Sequence, residues 1–368
     1  MAIEAYLPRH EDAVARFNHR LAQGGSPFRF PATSRIPWLP RDPGRDTFLE
    51  GHVAIDGDEV RGGYMVKHQP FALQGEPCDD IRNLQLPLSE GSIDSAYAQV
   101  GVELLSTAAR RNRRMYALGM GGTHTPLPTV LRSMGWTVSL VPFHFHVMRA
   151  GPFLRNIRVL RTSRARRLLL DAAAASGLAV PVLAVAQRRG RGRNGARARA
   201  EVVTSFGDWA DAIWEGVRGH YALLALRDAA ELNTLYPPDA PKPIRLKVSL
   251  DGRAVGWALL FDSALRGHKQ FGDMRLGTLV DCLALPGHEG DVVLAAREHL
   301  RAAGVDLVVS NQQHAAWCTA LHAHGFLRGP SNYALAVSRG LRAALEPWAT
   351  TAARIHMTRG DGDGPIHL

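Results

Sequence analysis

The sequence predicts an α/β chain built from two copies of one strand–helix unit. Three observations carry this. At 368 residues the chain has room for two domains at roughly 100–200 residues each. An Asp-Gly turn between apolar runs occurs twice, at Ile55-Asp-Gly-Asp-Glu-Val60 and Leu250-Asp-Gly-Arg-Ala-Val255. A helical stretch ending in glycine and an aromatic residue closes each half, at Gly135-Trp136 and Gly325-Phe326.

Each copy then runs in the same order. Asp-Gly tolerates the positive φ of a tight hairpin turn, so each copy opens as strand, turn, strand. The second strands are Arg61–Val66 and Gly256–Phe261. After a variable loop comes an apolar strand, Ile81–Leu88 in the first copy and Gly277–Leu285 in the second. The turns Ser89–Ser92 and Pro286–Gly290 follow. Helical spacing of Val102, Leu105 and Ala109 predicts a helix over Ser95–Arg111, and Val293, Ala296 and Leu300 predict one over Asp291–Ala303. Short strands, Met115–Leu118 and Leu307–Ser310, lead to matching segments from His124 to Trp136 and from His314 to Phe326. A last strand is expected at Val138–Val147 and at Asn332–Val337. A further helix is expected near Leu341–Ala353.

Composition bounds the class. A hydrophobic content of 46% with 21% charged residues excludes a wholly disordered chain, a collagen and a coiled coil. Cys78, Cys282 and Cys318 are too few and too scattered for a disulfide framework or a CxxC metal pair, which points to a reducing compartment. The N-terminus lacks a charged start and apolar core, so the expected location is the cytoplasm. The net charge of +10 is local: 155–199 holds twelve arginines and one acid, Asp171, leaving the rest at −1. The expected division is therefore 1–150, a basic linker over 151–200, and 201–368 with a C-terminal helix and tail. Within the linker, a helix (Arg164–Ala175), a glycine stop (Gly177) and a buried strand (Ala179–Ala186) are expected. Its end, Arg188–Arg199, could meet an anionic partner. Nucleic acid is the less favoured one, because the segment lacks aromatic stacking residues. Peripheral contact with an anionic membrane is the other option.

This order of elements, with its Gly-Trp and Gly-Phe endings, resembles the GNAT superfamily of acyl-CoA-dependent N-acyltransferases, here in tandem. The resemblance implies two GNAT-like domains, each a mixed, mostly antiparallel central sheet flanked by helices. It implies that two central strands splay, that the pantetheine arm of acetyl-CoA or another acyl-CoA pairs with the exposed strand edge, and that the next turn cradles the pyrophosphate. The implied acceptor is an amine of a small-molecule, sugar or peptide precursor, such as those of cell-envelope or surface-polysaccharide synthesis. The alternatives are an inactive GNAT-fold binding protein, or an aminoacyl-tRNA-dependent transferase using the arginine-rich linker. The family's tyrosine is replaced by Leu131 and Leu321, and its asparagine by His124 and His314.

The candidate donor-binding residues lie at strand ends, where α/β sheets place ligands. In the first copy they are Leu86, Leu88, Ser89, Gly91, Ser92, Gly119, Gly121 and Gly122. In the second they are Leu285, Gly287, Gly290 and Asn311. The candidate catalytic residues are Glu90, His124, His144, Asp281 and His314. Glu90 either acts as base or favours a helix N-terminus. His124 and His314 either share a role or cap the next helix. His144 and His146 alternate with Phe143, Phe145 and Val147, and so share one strand face. They show no third metal ligand, so no metal is expected. Asp281 interrupts an apolar strand, where a carboxylate must be paired or face a cleft. Thr358–Gly364 reads as a flexible tail that could fold back over a cleft.

Overall fold

The computed structural model describes residues 1–177, 179–188 and 198–362. In chain order the strands are β1 (Ala2–Ala5), β2 (Phe48–Asp56), β3 (Glu59–His68), β4 (Phe71–Leu73), β5 (Glu76–Cys78), β6 (Ile81–Ser89), β7 (Arg114–Leu118), β8 (Thr137–Leu140), β9 (Phe143–Val147), β10 (Arg199–Val203), β11 (Leu223–Ala225), β12 (Ile244–Leu250), β13 (Arg253–Ala264), β14 (Arg275–Ala284), β15 (Leu307–Asn311), β16 (Leu327–Gly329) and β17 (Ala334–Val337). The helices are α1 (Glu11–Gln23), α2 (Ala98–Arg111), α3 (Pro126–Ser133), α4 (Ala150–Asn156), α5 (Arg164–Ser176), α6 (Ala179–Arg188), α7 (Asp208–Val217), α8 (Ala229–Leu235), α9 (Glu289–Ala303), α10 (Ala315–Ala323), α11 (Arg339–Ala344) and α12 (Trp348–Thr351). Two compact units form. Unit 1 holds Met1–Leu140, Ala222–Leu226 and Asn332–Thr351; unit 2 holds Val141–Tyr221, Arg227–Ser331 and Ala352–Leu368.

Unit 1 is built on a seven-stranded mixed sheet in the order β1-β2-β3-β6-β7-β17-β8, with a small β11-β4-β5 sheet beside it. One face presents Tyr64, Val66, Leu84, Met115 and Ala117 to Val100, Leu104 and Ala108 of α2 and to Leu131 of α3. The other face meets α1, whose Val14, Phe17 and Leu21 are buried at helical spacing. Unit 2 repeats the plan as β10-β12-β13-β14-β15-β9-β16. Its core packs Val292, Val293, Ala296 and Leu300 of α9 and Trp317 and Leu321 of α10 onto Val248, Leu260, Leu279 and Val308.

The closing strands are exchanged. Val138–Val147 is two strands, split at Pro142, whose missing N–H interrupts a ladder. β8 remains in the sheet of unit 1, but β9 inserts between β15 and β16 in unit 2. Reciprocally, β17 pairs with β7 and β8 in unit 1.

Three local expectations change. The buried strand expected at Ala179–Ala186 is helix α6. Gly177 ends α5 at φ 71° as expected, but Pro181 then sits in a first helical turn, where its missing N–H costs nothing. The helix expected over Leu341–Ala353 is broken at Pro347 into α11 and α12. The tail is not loose over its described part, since Thr358 and Asp361 are fully buried. Gly364 lies outside the described residues. So does most of the Arg188–Arg199 stretch, over 189–197. Among the described residues no single helix is long and apolar enough to cross a membrane.

Candidate functional site

Both sheets part at the same place. In unit 1, β6 and β7 run parallel from Ile81 and Arg114 to Asn83 and Tyr116. In unit 2, β14 and β15 pair from Leu276 and Leu307 to Leu279 and Ser310. Just beyond each last pair the central strand, β6 or β14, bulges. The β3–β6 register slips between Gly63 and Met65, which leaves Leu86 and Pro87 without partners on β3. The β13–β14 register slips at the matching point, which leaves Val280 unmatched. Leu86 is in the left-handed region at φ 45°, a conformation that persists in a leucine only when its surroundings impose it.

In unit 1 the strand beyond the bulge, Leu86–Ser89, stays half-exposed. The turn after it is tightly braced. The buried Glu90 carboxylate accepts from Arg20 Nε at 2.6 Å and from Arg61 Nη1 at 2.9 Å. The Arg61 guanidinium also lies 4.4 Å from the Tyr97 ring centroid. Two arginines thus neutralise the carboxylate that would otherwise repel an anion here, and Glu90 serves as a brace. Asp94 caps the Ala96 N–H at 2.9 Å, and the Ser92 hydroxyl donates to the Ser89 carbonyl at 2.8 Å. Gly91 is pressed against the entry of α2: a Cβ there would stand 2.5 Å from the Tyr97 oxygen. At the end of β7, Gly119 (φ 82°) packs on the Tyr333 ring, and Gly121 (φ 76°) and Gly122 (φ 121°) carry the chain to α3. The N-cap position of α3 is Thr125, so His124 caps nothing and stays exposed.

In unit 2 the corresponding strand is closed. Every residue of β14 after Arg275 is buried. The segment 352–361 lies across the point where β14 and β15 part and bonds to both. His356 Nε2 meets the Cys282 carbonyl at 2.9 Å, and the Thr358 hydroxyl donates to Asp281 at 3.1 Å. The Gln313 N–H donates to the Met357 carbonyl at 3.1 Å, and Arg359 Nε donates to Asn311 Oδ1 at 2.9 Å. Beneath this strap Arg227 bridges Asp281 (2.8 Å) and Asp361, all three side chains fully buried. Gly360 fits only as glycine, because a Cβ would meet Tyr236 Oη at 2.5 Å and Asp281 Oδ2 at 2.8 Å. The turn is also self-satisfied: Glu289 accepts from the Gly287 N–H at 3.0 Å, and His288 bonds Asp291 at 2.9 Å. The Leu285 N–H is bonded to Val255, and Gly290 faces His324. Asp281 is therefore a locked ion-pair partner. Burial, with the nearby Asp361, pushes its pKa up to about 6 against the pull of Arg227.

Four histidines of unit 2 are held neutral. His144 is buried on β9, and His146 beside it bonds the Gly325 carbonyl at 2.8 Å. His314 is the N-cap of α10, accepting from the Ala316 N–H at 3.3 Å, and its ring lies 4.6 Å from that of Tyr221. Burial depresses His144, His146, His314 and His356 to about 4. A depressed histidine contributes stability that is present above its ordinary value and lost as pH falls toward the folded one. Asp281 has the opposite sign, since its raised value favours the fold as pH falls. Four histidines outweigh one carboxylate, so the urea midpoint should drop steadily between pH 6.5 and 4. Replacing His144 with glutamine should flatten that slope, and an unchanged slope would count against a neutral His144.

Of the residues named from the sequence, the structure brings Leu86, Leu88, Ser89, Glu90, Gly91 and Ser92 to one strand end in unit 1, and Gly119, Gly121, Gly122 and His124 to the end of β7. It brings Asp281, Asn311 and His314 near the strap of unit 2. The sequence did not reveal Arg227, His356 or Asp361. It also passed over a buried polar row across unit 1, Lys67, Asn83 and Tyr116, which stand opposite one another on β3, β6 and β7. Lys67 had a usable signal, since it shares strand parity with the buried Met65.

No family model and no curated protein sequence matches the chain. Solved structures do match in fold. A conserved Enterococcus faecalis V583 protein described as a probable N-acyltransferase aligns over 94% of this chain and 74% of its own, with TM-score 0.51 and 10% identity. A GCN5-related N-acetyltransferase from Anabaena variabilis aligns over 91% of this chain and 72% of its own, with TM-score 0.52 and 7% identity. The likeness is one of architecture: an α/β chain with two mixed seven-stranded sheets, arranged as two GNAT-like domains.

Proposed function

We propose that the chain is an acyl-CoA-dependent N-acyltransferase whose donor binds in unit 1, while unit 2 has become structural. One contrast carries this reading. Beyond its bulge, β6 keeps Leu86–Ser89 half-exposed, whereas the same stretch of β14 is covered by the chain's own strap. The edge of β6 offers backbone groups to the amides of a pantetheine arm. The N–H groups of Gly91 and Ser92 are the candidates for a pyrophosphate, since those of Ile93, Asp94, Ala96 and Tyr97 are bonded within the turn, and Glu90 no longer opposes the anion because Arg20 and Arg61 hold it.

His124 is the proton carrier of this proposal. It is the exposed histidine at the end of β7, while His144 and His314 are sequestered in unit 2. The acceptor amine loses a proton to His124 as its nitrogen forms a bond to the acyl carbon. The carbon–sulfur bond then breaks, and the same imidazolium protonates the leaving thiolate. That return of the proton does without the family's tyrosine, whose position is held by Leu131, a core side chain. The acceptor is an amine of a small molecule, sugar or peptide precursor.

Calorimetric titration with acetyl-CoA tests the donor site. One molecule per chain is expected, and no heat with any acyl-CoA overturns the reading. His124→Gln should retain that binding, yet slow CoA release with an amine acceptor by about 10²–10⁴-fold. Unchanged turnover would remove His124 from the mechanism.

A further inference from the structure

Helix α5 is apolar on two opposite faces. Leu170, Ala173 and Ala174 pack inward on the cluster of Val147, Phe153 and Leu276. Leu168 and Leu169 point outward, 71% and 70% exposed. Helix α6 repeats the pattern, with Leu183 inward and Val182 69% exposed outside. Apolar side chains on two opposite faces of a helix are normally covered on both. Here the outer face adjoins a shallow surface depression lined by Leu160, Arg166, Leu169 and Leu170.

The charge around this face is predominantly positive. Arg164, Arg166 and Arg167 fill the first turn of α5 and form no ion pair among the described residues. The one acid of the helix, Asp171, is clamped by both Nη atoms of Arg161 at 2.7 and 2.9 Å, so it offsets none of them. The neighbouring loop adds Arg266 and Lys269, both exposed, against one exposed carboxylate, Asp273, which accepts from the Gly267 N–H at 2.6 Å.

We propose that the α5–α6 surface of unit 2 docks on an anionic lipid bilayer. Leucine and valine side chains enter the headgroup boundary, and the arginines meet the lipid phosphates. The same features disfavour the other occupants. A second copy would bring arginine against arginine. A nucleic acid would use the arginines but leave the exposed leucines and valines without a role.

Vesicle co-sedimentation of the full chain tests this. One set of vesicles is pure phosphatidylcholine, and the other contains added phosphatidylglycerol. Binding is expected only to the second set, weakening as salt rises. Arg164→Gln, Arg166→Gln and Arg167→Gln together should weaken it by on the order of a hundredfold. Leu168→Asn with Leu169→Asn should weaken it by about tenfold or more. Both sites are on the surface, so an unchanged melting temperature should accompany each loss and certify the fold. No binding to the anionic vesicles overturns the proposal. So does equal binding to both sets. If the arginine variant loses binding to an RNA duplex while the leucine variant binds vesicles normally, the surface reads phosphate without insertion, and the bilayer assignment fails.

Discussion

Replacing Gly91 with alanine is expected to weaken acetyl-CoA binding by roughly 10- to 100-fold, the worth of one or two charge-assisted hydrogen bonds to a pyrophosphate. The cause is steric. A Cβ at Gly91 would sit 2.5 Å from the Tyr97 oxygen and 2.9 Å from the Ala98 Cα, and both neighbours are backbone. The turn must therefore lift away from α2, taking its N–H groups out of alignment. The matching change in unit 2, Gly290→Ala, meets only the flexible His324 ring at 3.0 Å and should leave affinity unchanged. Calorimetry on the two variants separates the units. A loss only in Gly290→Ala would put the donor in unit 2, and equal losses would refute a site confined to unit 1. The melting temperature of the unliganded variants shows whether Gly91→Ala has harmed the fold instead.

Arg227→Met is the substitution expected to cost most in stability, about 3–5 kcal/mol. It removes the guanidinium that bridges Asp281 and Asp361, and both carboxylates are fully buried. Thr358, the Cys282 N–H and Tyr236 still reach Asp281, but neutral donors cannot replace a full charge. The variant should be most damaged at neutral and higher pH. Without the guanidinium each carboxylate keeps a proton more readily, so lowering the pH should recover part of the loss. Adding Asp281→Asn and Asp361→Asn should recover part of it at neutral pH, because no buried charge then remains unpaired. Urea unfolding of the three proteins checks this. A single variant within about 1 kcal/mol of the parent would mean that the triad does not bind the strap to β14.

The sequence exposed what is encoded locally. The Asp-Gly turns, the central strands and the helices after them could be read because turn geometry and helical spacing are properties of neighbouring residues; the bulges could not. Pairing partners are not. Nothing in the alternation of Phe143–Val147 says which sheet receives the strand, and β-strand patterns are indifferent to it. α6 reads as a strand in the sequence because a short apolar run fits both periods. His124 and His314 look equivalent, but α3 begins one residue later relative to its histidine than α10 does, so only His314 becomes a cap. The two arginines that pair Glu90 come from α1 and β3, and Arg227 from a polar turn before α8. Such partners are distant in sequence and carry no spacing signal.

The exchange of β9 and β17 also governs how the protein must be made. Residues 1–140 leave the ribosome early, but their sheet lacks the strand between β7 and β8 until residue 337 has been synthesised. At about 5–20 residues per second that delay is roughly 10–40 s. Through it the edges of β7 and β8 lack their partner β17 and are open to pairing with other strands. A gene cut between the two halves would encode two incomplete sheets, whose fragments must find each other to close.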